Sequence, residues 1–327
     1  MTPSELLRLS GAYWHTCALH AAVKLDVFSH LSAGNLTATE FSCLTGSNER
    51  GITMLFNALA AMELLQKTDD TYCAVPFASE YLSRKSDKYL GHIIMHHHHL
   101  VEGWSRLDEA VKSGGPLRTS VSHSDDATGR ESFLMGMFNM ASLSAPLIVP
   151  NINLSGRSRL LDLGGGPGTY AIHFCRHNPE LTAVIYDLPT TRRFAEQTVE
   201  RFALSDRITF TPGDIITDDI GSGYDIAWIS QLLHSEGPGG AAIMLRKAAQ
   251  ALVPGGVVLI QEFILDDNHA TPLFPALFSL NMLIGTPAGQ SYSQGELADM
   301  MTEAGLSDIT RLPLELPNGA GIMSGIV

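Results

Sequence analysis

The chain has 327 residues, 45% of them hydrophobic, ordinary for a folded protein with room for two domains. Its formal net charge of −13 and pI near 5.4 argue against a nucleic-acid partner, because phosphate recognition needs clustered Lys and Arg. No apolar run approaches the roughly 18 residues of a membrane span. The start, Met1 to Leu6, lacks a basic segment leading into an apolar one, and Cys17, Cys43, Cys73 and Cys175 form no Cys-x-x-Cys pair. Reduced, buried thiols and a cytoplasmic location are expected.

Residues 1 to about 150 carry helical periodicity and little strand signal. Ala18 to Leu31 reads as one helix with Ala22, Leu25 and Phe28 on a common face. Thr37-Ala-Thr-Glu40 fits a capping box opening a helix that carries Phe41 and Leu44. After the Gly46-Ser47-Asn48 break, Glu49 to Leu64 places Ile52, Leu55, Leu59 and Met62 at helical spacing. Leu65 to Val75 then reads as a hairpin turning at Asp69-Asp70. Two short helices and a hairpin make a winged-helix arrangement. The helix that would enter DNA holds a single basic residue, Arg50, which counts against DNA reading and favours a dimerisation role.

Tyr89 to Leu107 contains His92, His96-His97-His98-His99, Glu102 and Trp104. On a helix His92, His96 and His99 share a face, and His98 lies four before Glu102. Such a cluster, with no Cys or Glu-x-x-His pattern beside it, lines a pocket or a domain junction more readily than it holds a metal, so no metal is expected.

From Arg159 onward short β-rich runs alternate with amphipathic segments, the pattern of a parallel α/β sheet. Strands are expected at 159–163, 183–187, 207–211, 225–230, 256–263, 308–313 and 320–326, and helices near 169–177, 190–203, 239–252, 274–283 and 293–304. The organisation read from this is a helical domain over 1–90, connecting helices over 91–150 and an α/β domain over 151–327.

The run Leu160-Leu-Asp-Leu-Gly-Gly-Gly-Pro-Gly168 is an apolar strand ending in a glycine turn. Glycine is needed where backbone takes positive φ or meets a ligand too closely for a Cβ. Such a turn places a nucleotide-like group at the carboxyl end of the sheet, and Asp187, ending the next strand, is positioned for ribose hydroxyls. The spacing of Gly164, Gly166 and Gly168 is not the dinucleotide G-x-G-x-x-G, and no Lys-Ser/Thr follows as in a phosphate loop. A turn without a charge-compensating group suits a phosphate-free adenosine cofactor, S-adenosylmethionine.

The second half resembles the class I methyltransferases, specifically the O-methyltransferase group that includes caffeate-type and hydroxyindole enzymes. The matching pieces are Leu161 to Gly168, Tyr186-Asp-Leu-Pro189, Pro212-Gly-Asp214, Leu232-Leu-His234, Ala251 to Gly256 and Leu259-Ile-Gln-Glu262, in the family's order. The first half is similar to its dimerisation domain, and Phe133-Leu-Met-Gly-Met137 to its connecting helix, so the resemblance spans nearly the whole chain. It implies a Rossmann-like seven-stranded domain with an N-terminal, mainly α winged-helix domain, in a homodimer. It further implies that Gly164, Gly166 and Gly168 approach the methionine portion of the cofactor, that Asp187 holds the ribose with Leu188 on the adenine, and that Asp214 accepts from adenine with Ile215 over the ring. A strand-terminal Asp serves otherwise as a helix cap.

By the same resemblance His234 is the catalytic base, with Glu262 orienting it. Neutral imidazole suits proton abstraction from a hydroxyl because its pKa lies near working pH. Ser230 stands where the family often has a basic residue at the cofactor. Two further departures are Ser235-Glu236 in place of Asp-Trp, and Ser291 in place of a second Glu. The acceptor pocket is expected to draw on Trp104, Met137, Met140, Phe278 and Met282, which favours a flat apolar, aromatic acceptor. Methionines and aromatics at helical spacing are also the signature of plain core. O-methylation leads. C-methylation or a relative that uses the cofactor without methyl transfer is the alternative, and a ligand-sensing winged-helix regulator is disfavoured by charge.

Overall fold

A computed structural model describes residues 1–117 and 127–327. Residues 118–126 of the expected connecting segment lie outside the described residues. The chain divides into two units, one of residues 1–100 with 131–139 and one of 101–130 with 140–327.

The first unit holds α1 (Pro3–Ser10), α2 (Tyr13–Lys24), α3 (Val27–Leu31), β1 (Leu36–Thr37), α4 (Ala38–Thr45), α5 (Glu49–Ala61), β2 (Leu65–Thr68), β3 (Thr71–Ala74), α6 (Pro76–Leu82) and most of α7 (Gly91–Ser105). The capping box stands as read: the Thr37 hydroxyl accepts from the Glu40 amide at 3.1 Å, and the Glu40 carboxylate from the Thr37 amide at 2.7 Å. The hairpin β2–β3 pairs with β1, completing a small three-stranded sheet beside α4 and α5. Ala18–Leu31 is not one helix. Asp26 adopts φ 55°, ψ 34°, a left-handed conformation that ends α2 and starts α3. The break leaves Ala22 and Phe28 in the core but turns Leu25 out to 39% exposure. The helix α1 is an element the periodicity reading omitted; it carries its own capping box, Thr2 with Glu5.

The second unit contains α8 (Leu107–Ser113), the end of α9 (Ala127–Ile148), β4 (Arg159–Leu163), α10 (Thr169–His177), β5 (Thr182–Asp187), α11 (Arg192–Arg201), β6 (Ile208–Pro212), β7 (Tyr224–Ser230), α12 (Pro238–Ala251), β8 (Leu252–Phe263), α13 (Leu273–Gly285), α14 (Gln294–Glu303), β9 (Ser307–Arg311) and β10 (Ala320–Ile326). One seven-stranded sheet runs in the order β6-β5-β4-β7-β8-β10-β9. Its first five strands are parallel, and β10 is antiparallel to both neighbours. Strand β8 starts at Leu252, earlier than the expected 256. The sequence reads as near-continuous apolar runs because both faces are covered. On one face Ala227 and Ile229 meet Met244, Leu245 and Ala248 of α12 and Leu297 and Met301 of α14. On the other, Ile226 and Trp228 meet Ala171, Ile172 and Phe174 of α10. Trp228 is fully buried, its ring 4.9 Å from Tyr170 and 5.2 Å from Phe174.

Against the expectation of no membrane-length apolar run, Ala127–Asn151 is long and apolar enough by length and composition to cross a bilayer, with mean hydropathy 1.5. Its Ala145, Ile148 and Val149 are buried in the core of the second unit, as in a core helix of a globular domain.

Candidate active site

Successive strands in a doubly wound sheet diverge where the order reverses, opening a crevice at their carboxyl ends. Here the reversal lies between β4 and β7, so the turn after β4 and the turn after β7 face one crevice.

The turn after β4 has the backbone that only glycine takes without strain: φ is +68° at Gly164, +54° at Gly166 and +78° at Gly168. At Gly166 a Cβ would meet nothing within 4 Å, so this stretch is open to a ligand. At Gly164 a Cβ would lie 2.7 Å from the Leu232 side chain. Gly165 was not singled out from sequence, yet a Cβ there would fall 2.6 Å from the Asp162 carboxyl carbon. Asp162 was also overlooked. It is 1% exposed, accepts from the Ala171 amide at 3.1 Å, and burial pushes its carboxyl up to about 7. Its signal was the acid within the apolar run, in plain view but inside a strand.

Asp187 at the end of β5 is tied to the turn. One carboxylate oxygen accepts from the Gly166 amide at 2.8 Å, and the other from the Leu188 amide at 2.7 Å and the Thr191 hydroxyl at 3.0 Å. Burial raises its pKa, partly offset by these bonds. Asp214 follows β6 and accepts from the Ile216 amide at 2.8 Å; Ile215 is buried in the core layer and Leu188 is half-buried. The open backbone at Gly166, the uncharged turn and a carboxylate with one acceptor position left on Asp187 fit an adenosine group that has no phosphate.

After β7, Gln231 takes φ 53° and its amide bonds the Gln261 carbonyl at 2.9 Å, bending the chain into the short 3-10 turn Leu233–Ser235. Ser230 donates to the Gln261 side chain at 3.0 Å. His234 is 9% exposed, and its Nδ1 lies 2.7 Å from Oε2 of Glu262, itself 1% exposed. The other Glu262 oxygen accepts from the Leu232 amide at 2.9 Å and the His234 amide at 3.4 Å. One carboxylate therefore fixes both the turn and the ring. A carboxylate on Nδ1 makes that nitrogen the protonated one and leaves Nε2 as the acceptor.

The His234 ring stands edge-on to Phe278 at 4.7 Å, and Phe278 belongs to an aromatic group with Phe263 and Phe274. Trp104 lies on the same unit, its indole nitrogen 3.1 Å from the Asn281 side-chain oxygen. Met140 and the buried Met282 also belong to this unit, whereas Met137 and His96–His99 belong to the first. Ser291, in place of a second acid, bonds the Pro275 carbonyl at 2.8 Å. Gly289 permits the His234 turn to pack closely: a Cβ there would stand 2.4 Å from the His234 carbonyl. Tyr292 then donates to the Glu236 carbonyl at 2.6 Å. Neither Gly289 nor Tyr292 was flagged by sequence, because each acts on backbone. In the first unit His20 packs edge-on to His98 at 5.4 Å; burial, then the neighbouring histidines, push it down to about 4. Among the described residues no three His, Cys, Asp or Glu side chains are grouped to hold a metal.

This sheet order, with an antiparallel strand inserted next to the edge, is that of the class I methyltransferases. Residues 104–307 match the O-methyltransferase domain and residues 7–84 the O-methyltransferase dimerisation domain. The 3-hydroxy-5-methyl-1-naphthoate 3-O-methyltransferase of Streptomyces sahachiroi is 31% identical over 329 residues, covering 99% of this chain and 95% of that protein. The L-tyrosine C(3)-methyltransferase of Streptomyces lavendulae is 28% identical, covering 91% and 85%. An O-methyltransferase family protein from Burkholderia thailandensis has a solved structure that superposes with a TM-score of 0.89 at 28% identity, covering 100% of this chain and 98% of that one. The chain belongs to the O-methyltransferase family and is an S-adenosylmethionine-dependent methyltransferase.

Proposed function

We propose that the protein methylates a hydroxyl of a small, flat, aromatic acceptor, with His234 as general base. The observation that carries this is the 2.7 Å contact between His234 Nδ1 and Glu262, set against the Phe278 ring. The bound cofactor supplies an electrophilic methyl on a sulfonium. The chain's part is to align the acceptor oxygen, take its proton at Nε2 and stabilise the resulting imidazolium through Glu262. Gly164, Gly166, Gly168, Asp187, Leu188, Asp214, Ile215 and Ser230 are the cofactor's contacts in this reading. Trp104, Met140, Phe278 and Met282, all of the second unit, line the acceptor site in the same reading. The dimerisation domain supports a homodimer, which a monomeric mass in solution would refute.

The test is His234→Ala with S-adenosylhomocysteine release as readout. A rate loss of about 10²–10⁴-fold with cofactor affinity retained is expected. Persistence of the wild-type rate would remove the base from the mechanism.

The similarity to a C-methyltransferase favours a second reading, transfer to a ring carbon beside a phenol whose proton His234 takes. The two readings part on product structure: an O-methyl and a C-methyl group have distinct carbon chemical shifts.

A further inference from the structure

We propose that the seat of α7 on α2 in the first unit is an acid-sensitive latch: His20 and His98 hold the two helices together while both rings are neutral, and protonation releases α7. The run His96–His99, which methyl transfer leaves unused, supplies one half of the latch. His20 on α2 is 5% exposed, and its ring meets the half-buried His98 of α7 edge-on at 5.4 Å. Beside that contact the two helices bury apolar surface. Ala22 and Val23 of α2 belong to the core of the first unit, and Ile94 and Met95 of α7 pack against it. Releasing α7 therefore uncovers core.

The charges that act on the contact are all of one sign. His98 and His97 act on His20, and Lys24 of α2 and His99 of α7 act on His98. Among the described residues no carboxylate acts on either ring, and the His20 Nδ1 is buried without a hydrogen-bond partner. His92, earlier on α7, is the contrast: Glu131 favours its charge, set against Arg84. A proton on His20 thus enters a buried site with no counter-ion, beside a second ring that gains charge as the solution turns acid.

Burial, then His98 and His97, push His20 down to about 4, and burial, then Lys24 and His99, hold His98 down. With folded-state values below the free imidazole's 6.5, the released helices take up protons before the packed ones do. The latch is therefore fully closed above about 6.5 and weakens as pH falls towards about 4.

Hydrogen–deuterium exchange of the full chain, corrected for the intrinsic pH dependence of exchange, tests this. For His20 alone, the drop from 6.5 to about 4 makes opening about 30-fold more favourable at pH 5 than at pH 7.5. Protection of residues 13–24 and 91–100 should fall by that factor, while protection of β4 and β7 in the second unit holds. His20→Phe keeps a flat ring at the contact and cannot titrate, so its protection should change by less than about threefold over the same range. His98→Gln removes the second charge and should lessen the loss without abolishing it. The wild-type chain carries an independent readout: with histidine labelled at Cε1, the His20 resonance should titrate with a midpoint below about 5. A midpoint near 6.5, equal wild-type protection at both pH values, an equal loss in both units, or the full wild-type loss persisting in His20→Phe overturns the proposal.

Discussion

The two sides of the crevice differ in how their polar groups are used. On the β4–β5 side, Asp187 has three of its four acceptor positions engaged by Gly166, Leu188 and Thr191, and Asp162 is sealed beneath the turn. On the β7–β8 side, Glu262 is taken up by the His234 turn, while His234 Nε2 and the Asn281 NH₂ have no protein partner among the described residues. The first side is a prefolded cradle held by its own hydrogen bonds. The second spends its carboxylate on one turn and one ring and leaves His234 Nε2 unbonded among the described residues.

The sharpest break in this contrast is Glu262→Gln. The amide can still accept from the Leu232 and His234 backbone, so the turn survives, but the imidazolium loses its counter-charge. We expect kcat to fall about 10²-fold with cofactor affinity unchanged, measured by steady-state kinetics beside calorimetry. An equal loss of cofactor binding would show that the two sides are not separable.

Next in size is Gly164→Ala, which strikes the other side. It forces a Cβ at φ +68° and against Leu232 at 2.7 Å. A non-glycine residue held in this region costs about 1–2 kcal/mol, so cofactor affinity should fall about tenfold, with far less effect on the rate at saturating cofactor. An unaltered dissociation constant would show that the turn does not touch the ligand.

How much of this was legible follows from what each feature depends on. The Gly164, Gly166 and Gly168 turn and the Asp187 strand end were readable because backbone geometry restricts which residues can occupy them. His234 and Glu262 lie 28 residues apart and join only through the parallel pairing of β7 with β8, so their partnership came from family likeness and not from spacing. Asn281 and Trp104 are 177 positions apart, and nothing local distinguishes that asparagine from any other on an apolar helix. The α2–α3 break was missed because Asp26 tolerates the left-handed region without a glycine to announce it.

A smaller effect comes from pH. The Asp162 carboxyl is raised by burial from 3.8 to about 7. Between those values the folded state holds a proton that the unfolded chain releases. Its contribution to stability is therefore full below 3.8 and declines as pH rises toward about 7. The amide of the Asp162→Asn variant does not titrate. The melting temperature of that variant relative to wild type should therefore climb between pH 5 and pH 8, by about 2–4 °C for each kcal/mol involved. A pH-independent difference, followed by calorimetric scanning, would mean that Asp162 stays ionised.

The smallest effect tests whether the acceptor side is depleted by its departure from the family. If a second acid were needed to support His234, Ser291 would be a defect at the centre of the site. Its hydroxyl, however, is committed to the Pro275 carbonyl at 2.8 Å, and its amide to Ser279, so its work is to seat α13. Ser291→Ala then costs about 1 kcal/mol of stability from one buried hydrogen bond and leaves kcat within about twofold. Chemical denaturation and initial rates on the same preparation decide it. A tenfold loss of kcat at unchanged stability would place Ser291 in the support of the imidazole, and Glu262 would no longer account for it alone.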